Sequence, residues 1–389
     1  MKEPLRDDLW ALSSPYLERL DEVIDEVIRP QAVDVDRKHL FPRDAVRALG
    51  DAGLGILLMP SELGGGGAPT AVYAEALARV SAACGSTSTV YMTQMHCAHP
   101  LHLQGSAAQQ ERWIPALCSG EAIGAIALTE PSAGSDVASM RTVARRSGDS
   151  YVIRGGKTFI SNGNEADIVV LFASVDLAAG KDGITAFAVE TRDLAGFTAG
   201  APMRKLGQRG ASTVELAFDN CRVPAEARMG AEGAGYPLLL GSVTKSRISA
   251  AAQGVGFAQG AYQATVHRFH ELGRLSSASR ADQDLQFALA AMRARILAAR
   301  ALLHGVCELA DGGGDEPTVE VSMAKLHCTA LGVQVAAECV ELLGEDGDDP
   351  DLAPERHLRD AKIAEIYDGT SQVQGMLIAR DIRRSAGGG

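Results

Sequence analysis

The spacing of apolar residues changes twice along the chain. From the start to about residue 123, apolar positions recur every three or four residues, as at Leu17, Leu20 and Ile24, which is the spacing of one buried face of an α-helix. The stretch PSELGGGGAPT breaks this pattern, because glycine and proline interrupt helices, and helical spacing resumes at Ala71. The sequence therefore predicts an N-terminal helical domain over residues 1–123.

The middle of the chain has the alternation that is typical of β-strands. The segment YVIRGGKTFISNG contains two alternating runs joined by Gly155 and Gly156, a pattern that predicts a hairpin. Further strand candidates follow in DIVVLFASV, GITAFAVE and STVELAFDNCRVP. Because no amphipathic helix separates these segments, an antiparallel barrel or sandwich is favoured over a parallel sheet. We expect this β domain to span residues 124–235.

Helical spacing returns after about Tyr236 and predicts a second helical domain over residues 236–389. Apolar residues separated alternately by four and three positions indicate a long helix packed in a bundle; they are Leu285, Leu289, Met292, Ile296, Ala299, Leu303 and Val306. The segment GVGFAQG resembles a dinucleotide loop only superficially, because it lies within a helical pattern and its third glycine is misplaced. Close packing between helices explains its small residues better.

Composition and charge are those of a soluble globular enzyme. Of 389 residues, 46% are hydrophobic and 22% charged, and the net charge of −12 argues against nucleic-acid binding, which needs a cationic surface. The sequence predicts neither a membrane span nor a secretion signal. The seven cysteines are scattered and form no CxxC pair, which is typical of reduced thiols rather than disulfides or a metal site. We therefore expect a cytoplasmic protein with no metal ion and no membrane or nucleic-acid partner.

Three short segments carry polar residues of types that bind cofactors or move protons. In LTEPSAGSD, the glycine, serine and proline predict a tight turn whose N–H groups can bind an anion, with Thr129 and Ser135 beside it. In KTFISNG, Phe159 and Ser161 share one face of a strand and offer an aromatic wall beside a hydroxyl. The C-terminal segment RDAKIAEIYDGTSQVQ places Asp368 before Gly-Thr, where it is either a proton acceptor or an ordinary turn residue.

Taken in this order within an α–β–α layout, the three segments resemble the acyl-CoA dehydrogenase family. Further matches are FPRDAVRALGDAGLGILLMPSELGG, GSAAQQERWIPALCSGE and GAGY, so that the resemblance covers about residues 15–383. It implies an N-terminal helical domain, a central antiparallel β-barrel and a C-terminal four-helix bundle. It also implies non-covalently bound FAD, an electron acceptor such as electron-transfer flavoprotein, and a homotetramer or homodimer in which FAD reaches across a subunit interface.

The resemblance also implies roles for particular residues. Contacts to the flavin ring and pyrophosphate are implied for Leu128, Thr129, Ser135, Phe159 and Ser161, and contacts to the adenosine or pyrophosphate half for Thr370 and Gln372. Contacts to the FAD of a neighbouring subunit are implied for Arg274 and Gln283, and substrate contacts for Arg247, Ser246 and Gly369. Asp368 falls where most members carry the catalytic glutamate.

The implied reaction is the dehydrogenation of an acyl thioester of CoA or of an acyl carrier protein. The base removes the α proton while the β hydride moves to flavin N5, which gives a 2-enoyl thioester. Because an α proton is a weak acid, the thioester oxygen must be polarised by hydrogen bonds, which in the family come from the base's own backbone N–H and from FAD. A carboxylate in a dry cleft would also have its pKa raised toward the working range.

The residue at the position of the base departs from the family pattern. Asp368 is one methylene shorter than glutamate, so its oxygens retreat by about 1 Å, and such a displacement can cost on the order of 10² in rate. Some relatives place the base just before the substrate-binding arginine, but this chain has Ser246 there. Nitroalkane oxidases of this fold pair an aspartate with an arginine seven residues on, which is Gly375 here. Nitroalkane chemistry is therefore less favoured.

The cofactor and carrier contacts depart as well. The family's RxxFG stretch corresponds to LGRLSS, where phenylalanine and glycine are missing, and its GGxG loop is GEDG at residues 344–347. Two added carboxylates beside a diphosphate would repel it unless they point away. Thr244 replaces an aspartate that is frequent in members that use CoA, which leaves room for a substrate tethered to a carrier protein. The basic residues of MRTVARRSG could face such a carrier, although a solvated cluster explains them better.

Three interpretations stay open at this point, and the first is favoured because the flavin-facing set is complete. The first is an acyl-thioester dehydrogenase with Asp368 as its base. The second is a family member that oxidises another carbon position or a nitroalkane, or that acts as an enoyl reductase. The third is a catalytically silent scaffold that binds acyl groups or partners, for which the acidic segment GEDGDDPD is the best support.

Overall fold

The computed structural model describes residues 14–275 and 282–387. Its first part is helical, with a π-helical turn over Ile24–Ile28 between the first two helices. The helices are α1 (Pro15–Val23), α2 (Arg29–Arg37), α3 (Arg43–Asp51), α4 (Thr70–Ala83), α5 (Gly85–Gln104) and α6 (Ala107–Cys118). Local signals start two of them, since Ser14 caps α1 and Ser106 forms a capping box with Gln109 at the start of α6.

The strands of the described chain form one eight-stranded sheet. They are β1 (Gly124–Ala127), β2 (Val143–Ser147), β3 (Ser150–Ser161), β4 (Ile168–Ser174), β5 (Ile184–Glu190), β6 (Phe197–Ala199), β7 (Thr213–Pro224) and β8 (Arg228–Met229). Their order across the sheet is β6-β7-β3-β2-β4-β5-β8, and β1 pairs with β4 beside this path. The core of the sheet includes Tyr151 and Phe187, whose rings meet edge to face with centroids 5.0 Å apart.

The sheet is mixed and open, so the prediction of a closed antiparallel barrel was wrong in these two respects. Strands β1 and β4 run parallel over Gly124–Ala127, and β2 meets β4 in parallel at Val143 and Ser174. The antiparallel pair of β2 and β3 lies between β1 and β4 in the chain. After this pair the chain enters the sheet again in the direction of β1, so that β4 pairs with β1 in parallel. Alternating apolar and polar residues indicate a half-buried strand, but they do not indicate the direction of the neighbouring strand.

The predicted hairpin at Gly155 and Gly156 was also wrong, because both residues lie inside the single strand β3. The register against β7 shifts there, which marks a bulge. A Cβ on Gly155 would lie 2.5 Å from the Thr142 hydroxyl oxygen, so this glycine permits a close approach between strands. The real turn joins β2 to β3 at Gly148, which has a φ of +66°.

The last part of the chain is helical, as the sequence predicted. The helices are α7 (Gly235–Glu271), α8 (Gln283–Asp311), α9 (Thr318–Leu343), α10 (Pro354–Ala361) and α11 (Ser371–Ser385). The apolar residues that predicted a bundle helix are buried in α8 and face its neighbours: Leu285, Leu289, Met292, Ile296, Ala299, Leu303 and Val306. All seven cysteines are buried and free, which confirms that they fill the core.

Helix α7 is the centre of the helical packing, and the glycines of GVGFAQG make this possible. A Cβ on Gly254 would lie 2.3 Å from the carbonyl oxygen of Cys328 in α9, and a Cβ on Gly256 would lie 2.3 Å from the carbonyl oxygen of Ala78 in α4. No side chain fits between backbones that approach this closely. The interpretation of these glycines as helix-packing residues is therefore confirmed.

Among the described residues, the stretch Thr318–Asp348 is long and apolar enough to cross a membrane by length and composition. This differs from the sequence-based expectation that no segment has this character. Helix α9, which forms most of the stretch, packs against α7 through Gly332, where an added Cβ would lie 2.8 Å from the Gly254 carbonyl oxygen. A helix that is buried among other helices has the same apolar composition as a membrane span.

Replacing Gly254 by alanine should lower the free energy of unfolding by about 1–3 kcal/mol, because the added methyl forces α7 and α9 apart. Gly305→Ala in α8 is the matched control, since no described atom lies within 4 Å of its new methyl. That control should gain up to about 1 kcal/mol from helix propensity. Denaturant titration measures both values, and an unchanged stability of Gly254→Ala would contradict the close contact.

Candidate active site

The segment that carries Asp368 is a left-handed turn between two helical segments. After α10 the chain passes through a 3₁₀ turn over Lys362–Glu365, and α11 begins at Ser371. Asp368 has a φ of +54° and Gly369 a φ of +91°, a region that aspartate and glycine adopt more readily than most residues. The Thr370 hydroxyl then accepts a hydrogen bond from the Val373 N–H at 3.3 Å and caps α11.

A buried polar network holds Tyr367, the residue before the candidate base. The Tyr367 hydroxyl donates to the Gln253 side chain of α7. The Gln253 amide donates in turn to Ser88 at 2.8 Å and to Thr89 at 3.2 Å, both on α5. Thr89 donates to the Gln208 side chain at 2.6 Å. Three separate parts of the chain therefore fix the backbone that leads into Asp368.

Two cations flank the Asp368 turn. The Nζ of Lys325 in α9 donates to the Gly369 carbonyl at 2.7 Å, and the Gln374 side chain donates to the same oxygen at 2.8 Å. Arg247 of α7 is buried, and its Nε would lie 3.7 Å from a Cβ on Gly369. Both the Arg247 Nε and the Asp368 Oδ2 are buried atoms without a hydrogen-bond partner among residues 14–275 and 282–387. An unpaired carboxylate oxygen is thus available beside two positive charges.

The electrostatics of this turn suit a base that works near neutral pH. Burial raises the pKa of Asp368 to about 7, and the charges of Lys325 and Arg247 oppose a further rise. Burial also lowers the pKa of Lys325 to about 8 and lowers the pKa of Arg247. A carboxyl group with a pKa near neutrality and one free oxygen can exchange a proton efficiently at physiological pH.

Lys325 is not among the predicted site residues, although the sequence contains a signal for it. The residue lies among Val321, Ala324 and Cys328 on the buried face of α9, and a lone lysine on an apolar helical face requires a partner inside the protein. The sequence could not name that partner, because the Gly369 carbonyl is distant along the chain.

Thr244 and Ser246 lie on the turn of α7 that precedes Arg247. Ser246 is half-buried, and its hydroxyl donates to the Val243 carbonyl at 2.9 Å. Thr244 is buried.

A second group of predicted cofactor residues lies where Leu128 and Thr129 meet β3. The Thr158 N–H donates to the Thr129 carbonyl at 2.9 Å, and the Lys157 Nζ donates to the Leu128 carbonyl at 2.9 Å. Leu128 and Thr129 are half-buried. The structure therefore brings the first two predicted segments together, with Phe159 next to Thr158.

A buried ion pair, which the sequence analysis did not identify, stabilises this junction. Lys157 Nζ lies 2.8 Å from Glu130 Oε1, and Glu130 also accepts from the N–H groups of Arg141 at 2.6 Å and Thr142 at 3.0 Å. Burial lowers the pKa of Lys157 to about 8, while Lys157 and the two N–H groups hold the pKa of Glu130 below its usual value against its burial. Removing one partner of such a pair leaves a buried charge, which typically costs about 3–5 kcal/mol.

Phe159 fits the wall of a site for a planar ring. Its side chain is 66% exposed, and its φ is +58°, an unfavourable conformation for a bulky residue unless the site requires it. It lies where the β3–β7 register shifts, and the neighbouring Thr158 and Ile160 are buried while Ser161 is half-buried. The Phe159 ring is therefore exposed by a bulge in β3, and not by the simple alternation of strand faces that the sequence predicted. An exposed phenyl ring is suited to pack against a planar ring such as isoalloxazine.

Two of the predicted phosphate contacts, Ser135 and Gln372, have side chains that make no hydrogen bond to residues 14–275 and 282–387. Ser135 is exposed in the turn after β1, and Gln372 is exposed in the first turn of α11. The start of a helix attracts anions through its free N–H groups. The Thr370 hydroxyl only accepts in the cap of this helix, so its proton stays available to a phosphate oxygen, as do the amide protons of the exposed Gln372.

The described chain does not bring Arg274 and Gln283 to this site. Arg274 follows α7, whose last residue Glu271 lies about 36 Å along the helix axis from Arg247 at a rise of about 1.5 Å per residue. The Arg274 Nε donates to the Asp282 carboxylate at 3.1 Å, and Gln283 is the first residue of α8. The last two residues of LGRLSS lie outside the described residues.

One of the two extra carboxylates in the GEDG loop is already paired. The Asp346 carboxylate accepts from Arg268 Nε at 2.8 Å, whereas Glu345 is exposed. This ion pair reduces the repulsion that the loop would exert on a diphosphate.

Comparisons with known proteins identify the class of protein that this fold and site define. Profiles for the N-terminal, middle and C-terminal domains of acyl-CoA dehydrogenases match residues 16–121, 125–221 and 233–383. A short-chain specific acyl-CoA dehydrogenase of Clostridium acetobutylicum is 36% identical over 93% of this chain and 96% of its own. The chain belongs to the acyl-CoA dehydrogenase family. It is an oxidoreductase of the class that acts on CH–CH groups, and FAD is its cofactor.

Solved structures give the same result. A structure described as the electron transferring flavoprotein of Acidaminococcus fermentans superposes with a TM-score of 0.90 at 32% identity, covering 96% of this chain and 99% of the other. The prolyl acyl carrier protein oxidase AnaB superposes with a TM-score of 0.87 at 30% identity, covering 96% and 100%. The helical, β and helical domains of the family are therefore those of this chain.

The charge of Lys325 should set the pH at which Asp368 becomes a base. Because that charge lowers the pKa of Asp368, Lys325→Met should raise it. The protein should gain kcat/KM as the pH rises through about 7, since a base must be deprotonated. In the variant this rise should occur about one pH unit higher.

Lys205→Met is the control, since Lys205 is a half-buried lysine whose Nζ also donates to a backbone carbonyl, that of Ala211. Its profile should keep the parental rise. A Lys325→Met profile that is merely lower, with its rise at the parental pH, would show that Lys325 supports only the fold.

Proposed function

We propose that this protein dehydrogenates an acyl thioester, with Asp368 as the base that removes the α proton. The observation that carries the proposal is the buried Asp368 oxygen without a partner among the described residues, on a carboxyl group whose pKa is raised to about 7. A structural carboxylate in a buried site is normally paired by hydrogen bonds. The silent scaffold interpretation offers no reason for this unpaired oxygen.

The residues around Asp368 support each part of this chemistry. Arg247 and Lys325 keep the carboxyl ionisable near neutral pH, and their positive charge also favours the enolate character that develops on the thioester as the proton leaves. The backbone N–H of Asp368 is the group that we expect to polarise the thioester oxygen. FAD, when bound, supplies the acceptor for the hydride that leaves the β-carbon. The product is a 2-enoyl thioester.

The shorter side chain of Asp368 is compatible with this role through its backbone. With a left-handed φ, this residue is held by the Gly369 carbonyl contacts on one side and the Tyr367 network on the other. This fixed backbone offsets part of the rate loss expected from a side chain that is one methylene shorter than glutamate. A base that is already held in place loses little entropy in the reaction.

We infer a homo-oligomer and an external electron acceptor as parts of this function. Arg274 and Gln283 can contact a flavin only in a neighbouring copy, because the length of α7 separates them from Arg247 by about 36 Å. The similarity to a structure described as an electron transferring flavoprotein supports electron-transfer flavoprotein as the acceptor. The relatives include both a short-chain acyl-CoA dehydrogenase and an acyl carrier protein oxidase, so both thioester carriers are substrates to test.

Asp368→Asn should slow anaerobic flavin reduction by the thioester by about 10²–10⁴, the usual contribution of a general base. Asp348→Asn, which changes an exposed aspartate in the same way, should keep the parental rate. Flavin absorbance in both purified variants confirms that FAD is bound. Reduction of the Asp368→Asn flavin at the parental rate would rule out Asp368 as the base.

Anaerobic bleaching of the bound flavin also distinguishes the two carriers. The same acyl chains are offered as CoA thioesters and on an acyl carrier protein, and we expect bleaching with at least one of them. Bleaching by the carrier-bound form alone would make the protein a carrier-protein dehydrogenase. If neither thioester bleaches a bound flavin, acyl-thioester oxidation fails, and nitroalkanes become the next substrates to test.

A further inference from the structure

Three neighbouring strands present arginine side chains on one face of the sheet. Val152 of β3 is paired with Arg145 of β2 on one side and with Arg222 of β7 on the other. Arg154 lies two residues after Val152, and side chains two positions apart on a strand point to the same face. Because residues that pair across strands also share a face, the three arginines point in the same direction.

The burial of the neighbouring residues shows that this face is turned to solvent. The residues that alternate with the arginines along the three strands are fully buried in the core of the sheet: Ala144, Ile153 and Cys221. The three arginines are exposed, and the exposed Arg141 lies four positions before Arg145, next to the start of β2. We call these four residues the arginine face: Arg141, Arg145, Arg154 and Arg222.

The charges of the arginine face are not neutralised within residues 14–275 and 282–387. Arg222 donates to the Ser150 hydroxyl at 2.8 Å, which is a neutral partner, and none of the four arginines forms an ion pair with a described residue. By contrast, the exposed Arg112 pairs with Glu190 at 2.6 Å. The sequence MRTVARRSG alone favours a solvated cluster, but it cannot show that β3 and β7 each add an unpaired arginine.

The arginine face adjoins the segment that we expect to contact flavin. The Arg141 N–H donates to the carboxylate of Glu130 at 2.6 Å, and Glu130 belongs to that segment, LTEPSAGSD. On the next strand, Arg154 lies three residues before Lys157, whose Nζ donates to the Leu128 carbonyl at 2.9 Å. Both strands therefore lead from the arginine face to the flavin segment, and a partner on this face lies next to it.

The shape and charge of the arginine face favour a protein partner over a small molecule. Sites for small molecules are concave, whereas these side chains stand on the outer face of a sheet. Arginine is enriched in protein interfaces, and complementary charges steer two proteins together. Because the chain has a net charge of −12, most of its surface repels an acidic protein, and the arginine face attracts it.

An anionic membrane matches the arginine face less well than an acidic protein does. Stable binding to a membrane surface also needs apolar side chains that insert among the lipids. The apolar residues between the arginines, Val143 and Val152, are half-buried in the sheet. They are therefore not available for insertion.

We propose that an acidic acyl carrier protein docks on the arginine face and delivers the thioester substrate from there. Carrier proteins hold the thioester at the end of a long, flexible phosphopantetheine arm, so the carrier stays on the surface while the thioester enters the site. A structural relative described as an acyl carrier protein oxidase supports this choice. The inference rests on the proposed function, because it names the carrier of the thioester whose α proton Asp368 removes.

Neutralising two exposed arginines tests the docking. Arg145→Gln combined with Arg154→Gln removes two charges from the arginine face and should leave the fold and the bound FAD unchanged. In anaerobic flavin reduction, the half-saturating concentration of a carrier-bound thioester should rise about tenfold, while the limiting rate stays at the parental value. The same acyl group on CoA should give unchanged kinetics, because CoA does not dock on this face.

Arg47→Gln combined with Arg192→Gln is the matched control, because it removes the same net charge from exposed side chains outside the arginine face. Arg47 lies on α3, and Arg192 follows β5. This control should keep the parental kinetics with both thioesters. An equal loss for the CoA thioester and the carrier-bound thioester in the Arg145 and Arg154 variant would overturn the docking of a carrier.

The same variant also tests whether the electron acceptor uses this face instead. Its reduced flavin should be reoxidised by electron-transfer flavoprotein at the parental rate. If reoxidation becomes slower while reduction by the carrier-bound thioester is unchanged, the arginine face binds the acceptor, and the carrier proposal is wrong.

A binding measurement separates this inference from the proposed function. A holo acyl carrier protein without an acyl group should bind the FAD-loaded protein with a Kd that rises about tenfold in the Arg145 and Arg154 variant, and that rises with salt because salt screens exposed charges. Equal Kd values, or flavin reduction by the CoA thioester alone, would overturn the docking and leave thioester oxidation intact. Arginine-dependent binding without flavin reduction by either thioester would support the docking and overturn the oxidation.

Discussion

The bond from the Lys325 ammonium to the Gly369 carbonyl is the interaction on which the candidate site depends. It fixes a turn with two left-handed residues and places a positive charge beside the carboxylate of Asp368. Without that charge, burial would raise the pKa of Asp368 further, and a smaller fraction of the carboxyl would be ionised as a base at neutral pH. The same bond requires α9 to lie against the start of α11. The packing of α9 in the helical bundle therefore influences the protonation state of Asp368.

Helix α7 connects this turn to the rest of the molecule. Its central glycines let it contact α4 and α9 at backbone distance, and its first half carries Arg247. Gln253 on the same helix binds Tyr367. Because one rigid helix supplies these groups, their spacing is set by helix geometry rather than by flexible loops. The strand side of the site has a comparable anchor in the buried Lys157 and Glu130 pair.

Much of this organisation could be predicted from the sequence. The change from helical to alternating periodicity and back, the buried seam of α8 and the packing role of Gly254 follow from local patterns, and the structure confirms them. Asp368 and Phe159 stood out because a carboxylate before Gly-Thr and an aromatic residue beside hydroxyls are unusual. Lys325 and Glu130 did not stand out, because their partners Gly369 and Lys157 are distant in the chain. Lys325 looked like an isolated polar residue on an apolar helix, and Glu130 looked like a turn residue.

What the sequence determined by itself is the set of elements and the chemistry that they can carry, since periodicity, glycine positions and side-chain type are local properties. Only the tertiary structure decided that β1 runs parallel to β4, that Gly155 lies in a continuous strand, and that a bulge presents Phe159. It also decided that the Asp368 carboxyl is buried between Arg247 and Lys325. Strand direction, burial and electrostatic environment depend on which distant segments meet, and that is a property of the packed chain rather than of any short stretch of it.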